Sequence, residues 1–539
     1  VSPTRDEVVA RLTAAGEPFE IAREDVRGQQ LEVFVRRHRS LGEILLASAR
    51  FGDRDYLVST EERITFADHE RMVAALAAAL REEYAVGPGD RVAICAANCP
   101  RWVVAFWAVI AVGGVAVGMN SMWASEEMRH GIELASPVVV IADAARREVL
   151  EEAGVPGVPV IDLDLEVPAL IARHGDAALE VPEVDEDDPA VVLFTSGTSG
   201  RPKGATHSHR NVIAALWFHL LNDAVATEMG FPPRDRRFLL ATPLFHIAAL
   251  HNLSVVRLAV GDTAVVHLGR FDIDEVLALI ERERVTNWGA VPTMLTRLVE
   301  RAESRGLDDV DLSSLRTVSV NSAPSSGTLK ERLRAVLPTA ARSLGTSYGL
   351  TESSTAATLA SAADLEADAE TVGRPVPTME VDVRDGEVWL RGAQMMLGYW
   401  GDPVATADSF APDGWFRTGD LGAIVETGPM AGHLHLVSRR SDLILRGGEN
   451  VYPAEVEAQL ESHPGVRECA VVGVPDEDLG QAVAAVIVLQ EGCSLTADDL
   501  LDHLRPRLAR YKLPNHWAIG HTLLPRNATG KVSRRDIVV

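Results

Sequence analysis

The amino-acid sequence predicts an α/β fold: a large N-terminal α/β domain carrying a β-rich subdomain, followed by a small α+β C-terminal domain. Three observations predict it. Short Val/Ile/Leu runs alternate with amphipathic helical stretches through most of the chain. Past about residue 376 the alternation gives way to short strands separated by turns. After Ser438-Arg439-Arg440-Ser441 a last block of about 100 residues begins again with its own strands and helices.

In chain order, residue spacing predicts a helix over 68–84, strands over 91–95, 138–141, 191–194, 238–241, 263–267 and 317–320, and a further helix over 274–284. The stretch 102–119 holds eighteen residues without a charge, the length of a membrane-spanning helix. Gly113-Gly114 interrupts it, so the reading adopted is a helix ending at the glycines and then a buried parallel strand, with a membrane span as the alternative. Residues 361–370, rich in Ala, Asp and Glu, read as a solvated loop or helix. Strands over 380–383, 387–390 and 433–437 make the β-rich subdomain, about 376–438, of an N-terminal domain 1–438. Strands over 469–474 and 482–489 and helices over 454–462 and 497–510 make the C-terminal domain 442–539.

At 539 residues the chain has room for two to four domain-sized units. Its net charge of −25, with no long basic run, argues against nucleic acid or an anionic membrane as a partner. Any cation that binds an anionic ligand must therefore be local, which singles out Lys203, Arg439 and Lys531. Four cysteines, Cys95, Cys99, Cys469 and Cys493, fit neither a disulfide framework nor a common zinc spacing. With an N-terminus that lacks the apolar core of a signal peptide, they point to a reducing, cytoplasmic setting with no transmembrane segment.

The most informative run is Phe194-Thr-Ser-Gly-Thr-Ser-Gly-Arg-Pro-Lys-Gly204. A buried strand leads into glycines that let backbone N–H groups approach an anion, while Thr195, Ser196, Thr198, Ser199 and Lys203 add side-chain donors around Gly197 and Gly200. The chemistry suits a polyphosphate, although the spacing is not that of the common P-loop. A plain surface turn is the bland alternative.

Four more runs follow in order: Tyr348-Gly-Leu-Thr-Glu352, Gly414-Trp-Phe-Arg-Thr-Gly-Asp420, the stretch 442–457 with Arg446-Gly-Gly-Glu-Asn450, and Asn527-Ala-Thr-Gly-Lys-Val-Ser-Arg-Arg535. Together they closely resemble the AMP-forming adenylating superfamily of acyl-CoA synthetases, adenylation domains and luciferases, from about residue 40 to the end. The resemblance implies an acid–thiol ligase that uses ATP and Mg2+ to make an acyl-adenylate and then passes the acyl group to CoA. It implies that Thr195, Ser196, Gly197, Thr198, Ser199, Gly200 and Lys203 hold the phosphates. Thr351 would bond the α-phosphate and, with Glu352, serve catalysis. Glu352 and Thr195 would hold Mg2+. Tyr348 would face adenine, with Ser322, Ala323 and Pro324 opposite and Thr346, Ser347 and Gly349 alongside. Asp420 and Arg439 would take the ribose, and Lys531 would be the catalytic lysine. Lys512 would support a conformation of the C-terminal domain. The connector 439–441 would be a hinge pivoting at Ser441, making that domain mobile, and Gly447 and Gly448 would line the path of CoA.

The acid is read from Thr242-Pro-Leu-Phe-His246. A histidine where amino-acid-activating relatives carry aspartate argues against an amino acid, and the apolar residues after it suit a hydrophobic acyl group. His246, Ala248, Ala249 and Gly345 are the substrate-binding candidates, with His246 also among the catalytic ones. The expected substrate is a medium- or long-chain acid or a bulky alicyclic, terpenoid or steroid-like one. Ser438, Gln481 and Asn321-Ser322 depart from the family pattern, and the last bears on the acyl pocket. A separate carrier protein as acyl acceptor, and a non-catalytic nucleotide or acyl-adenylate binder, are the rival readings; the second would be expected to lack Lys531 or Glu352.

Overall fold

The computed structural model describes residues 3–155, 157–195, 202–321, 325, 327–439, 442–446, 449–476, 480–508, 510–527 and 530–539. The apolar stretch beyond residue 100 resolves as the sequence predicts. Pro100–Ala111 is a helix with proline in its first turn, Gly113 takes φ 74°, and Val115–Gly118 is a buried strand. A Cβ at Gly113 would lie 2.9 Å from Pro182, so both the backbone turn and the packing call for glycine. Among the described residues, no helix is long and apolar enough to cross a membrane.

Two large sheets make up the N-terminal domain. The seven-stranded sheet runs, edge to edge, Gly398–Tyr399, Lys203–Ser208, Pro189–Thr195, Val115–Gly118, Arg91–Cys95, Val139–Ala142 and Val160–Asp162. The nine-stranded sheet runs Arg374–Pro375, Ala356–Ala360, Gly345–Gly349, Thr317–Val320, Asn287–Ala290, Arg237–Leu240, Thr263–Val266, Asp55–Val58 and Arg63–Thr65. The strands Arg91–Cys95 to Pro189–Thr195 pair in parallel, as do Asp55–Val58 with Thr263–Val266 and the run from there to Gly345–Gly349. Their near-continuous apolar runs follow from burial on both faces. One core joins the sheets through the helices Phe66–Tyr84, Pro100–Ala111 and His209–Glu228 and buries Trp102, Phe106 and Trp107.

The β-rich subdomain is a four-stranded antiparallel sheet of Met379–Arg384, Glu387–Gly392, Phe416–Ile424 and Leu434–Arg439. Asp420 lies within one of these strands, beside Gly419 at φ 71°. The C-terminal domain is a five-stranded sheet in which His516–Gly520 pairs in parallel with Gly480–Leu489. Its last predicted helix, 497–510, stops instead at Leu504. Pro506 lacks an N–H and disfavours helical backbone at Arg505, so the helix cannot continue. The short segment Ala362–Ala367 within 361–370 is helical. The N-terminal helix Arg5–Leu12 and hairpin Ile21–Val26/Gln29–Phe34 carry one exposed face, too weak a pattern to stand out in the sequence.

Candidate active site

Thr195 and Lys203 are register partners at the open end of the antiparallel hairpin Pro189–Thr195/Lys203–Ser208. The two residues that flank the donor-rich run, Thr195 and Lys203, thus lie opposite one another on adjacent strands. Ser196, Gly197, Thr198, Ser199 and Gly200 lie outside the described residues, as do Ser322, Ala323 and Pro324.

Thr351–Ser353, a single tight turn, follows the strand Gly345–Gly349 and meets this hairpin. The Met396 N–H donates to the Glu352 carbonyl at 2.8 Å, and Tyr399 Oη donates to Glu352 Oε1 at 2.8 Å. Ser354, at φ 60°, is held between two buried histidines: its hydroxyl meets His207 Nδ1 at 2.9 Å and its carbonyl meets His251 Nδ1 at 2.9 Å. Gln394 Nε2 donates to the Ser353 and Ala356 carbonyls at 3.1 and 2.8 Å. A left-handed backbone at a serine is sparsely populated, and these contacts hold it. They fix the direction in which Thr351 and Glu352 point. A carboxylate and a hydroxyl are oxygen donors of the kind Mg2+ takes beside nucleotide phosphates, so Glu352 and Thr195 are chemically suited to hold it.

Tyr348 and Asp420, both buried, are joined by a 2.7 Å hydrogen bond from the phenol to Oδ2. Asp420 is the antiparallel register partner of Arg439, so the two candidate ribose ligands sit opposite one another on adjacent strands. Thr346 Oγ1 donates to the Val320 carbonyl at 2.7 Å, and Ser347 Oγ donates to Asn321 Oδ1 at 2.9 Å. Asn321 Nδ2 in turn donates to Ser319 Oγ at 2.8 Å. The Asn321 side chain, the departure that bears on the acyl pocket, is thus engaged within the nine-stranded sheet. A Cβ at Gly349 would meet the Thr355 carbonyl at 2.1 Å, so only glycine fits there.

His246 opens a helical segment whose residues Ala248–Val255 are wound as a π-helix. Burial first, and then the Lys531 charge, push its pKa down to about 3, so the imidazole is neutral across the working range. Its Nε2 has no hydrogen-bond partner among the described residues. Ile247 and Ala248 are partly exposed, whereas Ala249 is fully buried in the core; Gly345 is partly exposed at the start of its strand. Farther along, Asn252 accepts from His219 at 3.1 Å, placing a polar pair beyond the apolar residues. Asn98 holds the segment before His246 from the other sheet, donating to the Thr242 carbonyl and accepting from the Leu244 N–H, each at 2.8 Å.

Side-chain contacts hold the C-terminal domain against the large domain. Gly530 carries the turn at φ 79°, and its carbonyl accepts from Thr293 Oγ1 at 3.1 Å, a bond from the large domain. Arg467 grips Glu300 with two bonds of 2.8 and 2.9 Å. Lys512 pairs with both oxygens of Glu455 at 2.6 Å, within its own domain. Ser441, Gly447 and Gly448 lie outside the described residues. The structure thus gathers Thr195, Lys203, Glu352, Thr351 and Tyr348 with Asp420, and separately brings Lys531 toward His246. Asn98, Tyr399, His207 and His251 are added by the fold; no motif marks them in the sequence.

The family model described as AMP-binding enzyme matches residues 46–400, and the AMP-binding enzyme C-terminal domain matches 455–531. Feruloyl-CoA synthase of Amycolatopsis sp is 35% identical over 493 residues, covering 88% of this chain and 93% of that protein. Long-chain-fatty-acid--CoA ligase FadD13 of Mycobacterium tuberculosis is 34% identical over 490 residues, covering 88% and 92%. The solved o-succinylbenzoate coenzyme A synthetase (MenE) of Bacillus subtilis, in complex with ATP and magnesium ion, superposes with TM-score 0.77 at 30% identity and covers 92% of this chain and 98% of that one.

Proposed function

The chain belongs to the AMP-binding enzyme family and is an AMP-forming acid–thiol ligase using ATP, Mg2+ and CoA, and from that premise we propose that its acid is a hydrophobic carboxylic acid seated beside His246. The observation that carries this reading is the pairing of a half-buried, neutral His246 with the nearby Lys531 charge, next to the apolar Ile247 and Ala248. In the first step a carboxylate attacks the α-phosphorus of ATP and pyrophosphate leaves. Two anions must approach, so pre-positioned cations and donors lower the barrier. Lys203 would serve the phosphates, Glu352 and Thr195 would hold Mg2+, and Thr351 would bond the α-phosphate. Tyr348 and Asp420 orient adenosine. Lys531 meets the charge that builds between carboxylate and α-phosphate. The neutral His246 adds no second charge that would compete with Lys531. In the second step the thiol of CoA attacks the acyl-adenylate.

The relatives named above are a feruloyl-CoA synthase, a long-chain-fatty-acid--CoA ligase and an o-succinylbenzoate coenzyme A synthetase, so their acids vary, and the long-chain ligase lends the hydrophobic reading its support. The test is pyrophosphate release measured across fatty, aromatic, alicyclic and steroid-like acids, with an amino-acid set as contrast. Release with one of the hydrophobic classes supports the reading. Release with amino acids alone overturns it.

A further inference from the structure

Tyr399 touches both charged candidates of the phosphate end of the site. It belongs to the two-residue strand Gly398–Tyr399 at the edge of the seven-stranded sheet, paired with Lys203–Ser208 through Ala205↔Tyr399 and Thr206↔Gly398. The backbone around it is fixed: Leu397 N–H donates to the Thr206 carbonyl at 2.8 Å, Trp400 N–H to the Gly204 carbonyl at 2.7 Å, and Tyr399 N–H to Thr406 Oγ1 at 2.9 Å. From this position the phenol donates to Glu352 Oε1 at 2.8 Å. On the same ring, the Lys203 ammonium lies 4.9 Å from the centroid. Among the described residues, Lys203 and Glu352 form no ion pair with one another.

We propose that Tyr399 is a positioning residue that holds Glu352 with its hydroxyl and Lys203 with its ring face, keeping the two opposite charges from neutralising each other before the nucleotide arrives. The inference rests on reading Glu352 as a Mg2+ ligand and Lys203 as a phosphate ligand. A carboxylate that meets a metal through one oxygen is oriented by what holds the other, and loss of such a support typically costs 10–100-fold in metal affinity. A cation over an aromatic face is attracted without being discharged, so it stays available to an incoming phosphate. A direct Lys203–Glu352 pair would have to be broken before either group could bind its ligand.

Two titrations on the full-length chain test this. In the first, Mn2+ binding is followed by paramagnetic resonance in the presence of α,β-methylene-ATP; in the second, binding of that analogue is measured without divalent metal. Tyr399→Phe keeps the ring and loses the hydroxyl. It should weaken Mn2+ about tenfold and leave metal-free nucleotide binding within about twofold of wild type. Tyr399→Leu loses both contacts and should weaken both titrations. In a Glu352→Ala background, Tyr399→Phe should have no further effect on Mn2+, because the interaction it removes is already gone. Unchanged Mn2+ affinity in Tyr399→Phe, with Glu352→Ala weakened, overturns the positioning role alone. Unchanged Mn2+ affinity in Glu352→Ala overturns the metal reading beneath it.

Discussion

The phenol of Tyr348 donates a 2.7 Å hydrogen bond to Asp420, linking the proposed adenine face to the proposed ribose acceptor across 72 residues of sequence and between two sheets. The bond sets the plane of the carboxylate before ATP binds, and both partners are buried. Hydrogen bonds to charged groups contribute about 1.5–3 kcal/mol. Tyr348→Phe keeps the flat face and loses the bond. It should raise the KM for ATP by about tenfold or more and leave the KM for the acid unchanged. An unchanged ATP KM in the folded variant would mean that the bond serves the fold and not the nucleotide.

The reaction products give a second test. With ATP, Mg2+, CoA and an accepted acid, AMP and pyrophosphate should form in equal amounts. ADP and phosphate as the stoichiometric products would contradict attack at the α-phosphorus.

Much of this site is legible in the sequence because its chemistry comes in short runs. Thr195 to Lys203, Tyr348 to Glu352 and the segment around Lys531 each pack several reactive or permissive residues into a few positions, which is what makes them stand out as candidates. Tyr399 and Asn98 are not legible. Each stands without a reactive motif around it, and its role arises from contacts across the fold: Tyr399 reaches Glu352 over 47 positions, and Asn98 reaches Thr242 over 144. Ala248 and Ala249 differ for a similar reason. Their pairing looks equivalent in sequence, but the winding of the helix leaves Ala248 partly exposed and buries Ala249. The helix end at Leu504 was available from Pro506, since the apolar periodicity continues beyond it while the backbone chemistry does not.

That difference makes a sharper substrate prediction. Ala248→Trp should fill space beside His246 and shift preference toward smaller acids while the protein stays folded. Ala249→Trp should instead overpack the core, at a cost of roughly 1–3 kcal/mol, and lower stability. Measured pyrophosphate release with short and long acids, beside urea unfolding of both variants, separates the two. A substrate profile unchanged in Ala248→Trp would remove that residue from the pocket.

The two steps should separate by mutation. Lys531→Ala should lose acyl-adenylate formation by on the order of 10²–10³, yet still convert supplied acyl-adenylate and CoA into thioester. Gly448→Leu, at a position outside the described residues, should do the opposite if CoA passes there. Equal loss of both steps in both variants, with the fold intact, would refute the division of roles between these residues.

Acid stability is governed by histidines that the fold keeps neutral. Burial pushes His69 and His246 down to about 3 and His209 and His251 down to about 4; His219 also falls to about 4, mainly through burial with Arg257 adding to it. The unfolded chain protonates each near pH 6.5, whereas the folded chain resists until far lower. Between those values the unfolded state binds more protons, so stability is fully present above about pH 6.5 and falls as the pH drops through the window. Carboxylates held low, such as Asp311 at about 2 beside Ser313 and Arg284, act only below about pH 4, which separates their effect. His69 isolates the histidine contribution: it is fully buried, edge-on to Tyr56 at 4.8 Å, and neither ring nitrogen has a hydrogen-bond partner among the described residues. His69→Leu replaces it with an apolar side chain that cannot titrate. The stability lost between pH 7.5 and pH 5, read from urea unfolding at each pH, should shrink by about 2 kcal/mol, the linkage free energy of one proton over that interval. An identical loss in wild type and variant would mean that His69 does not stay neutral in the fold.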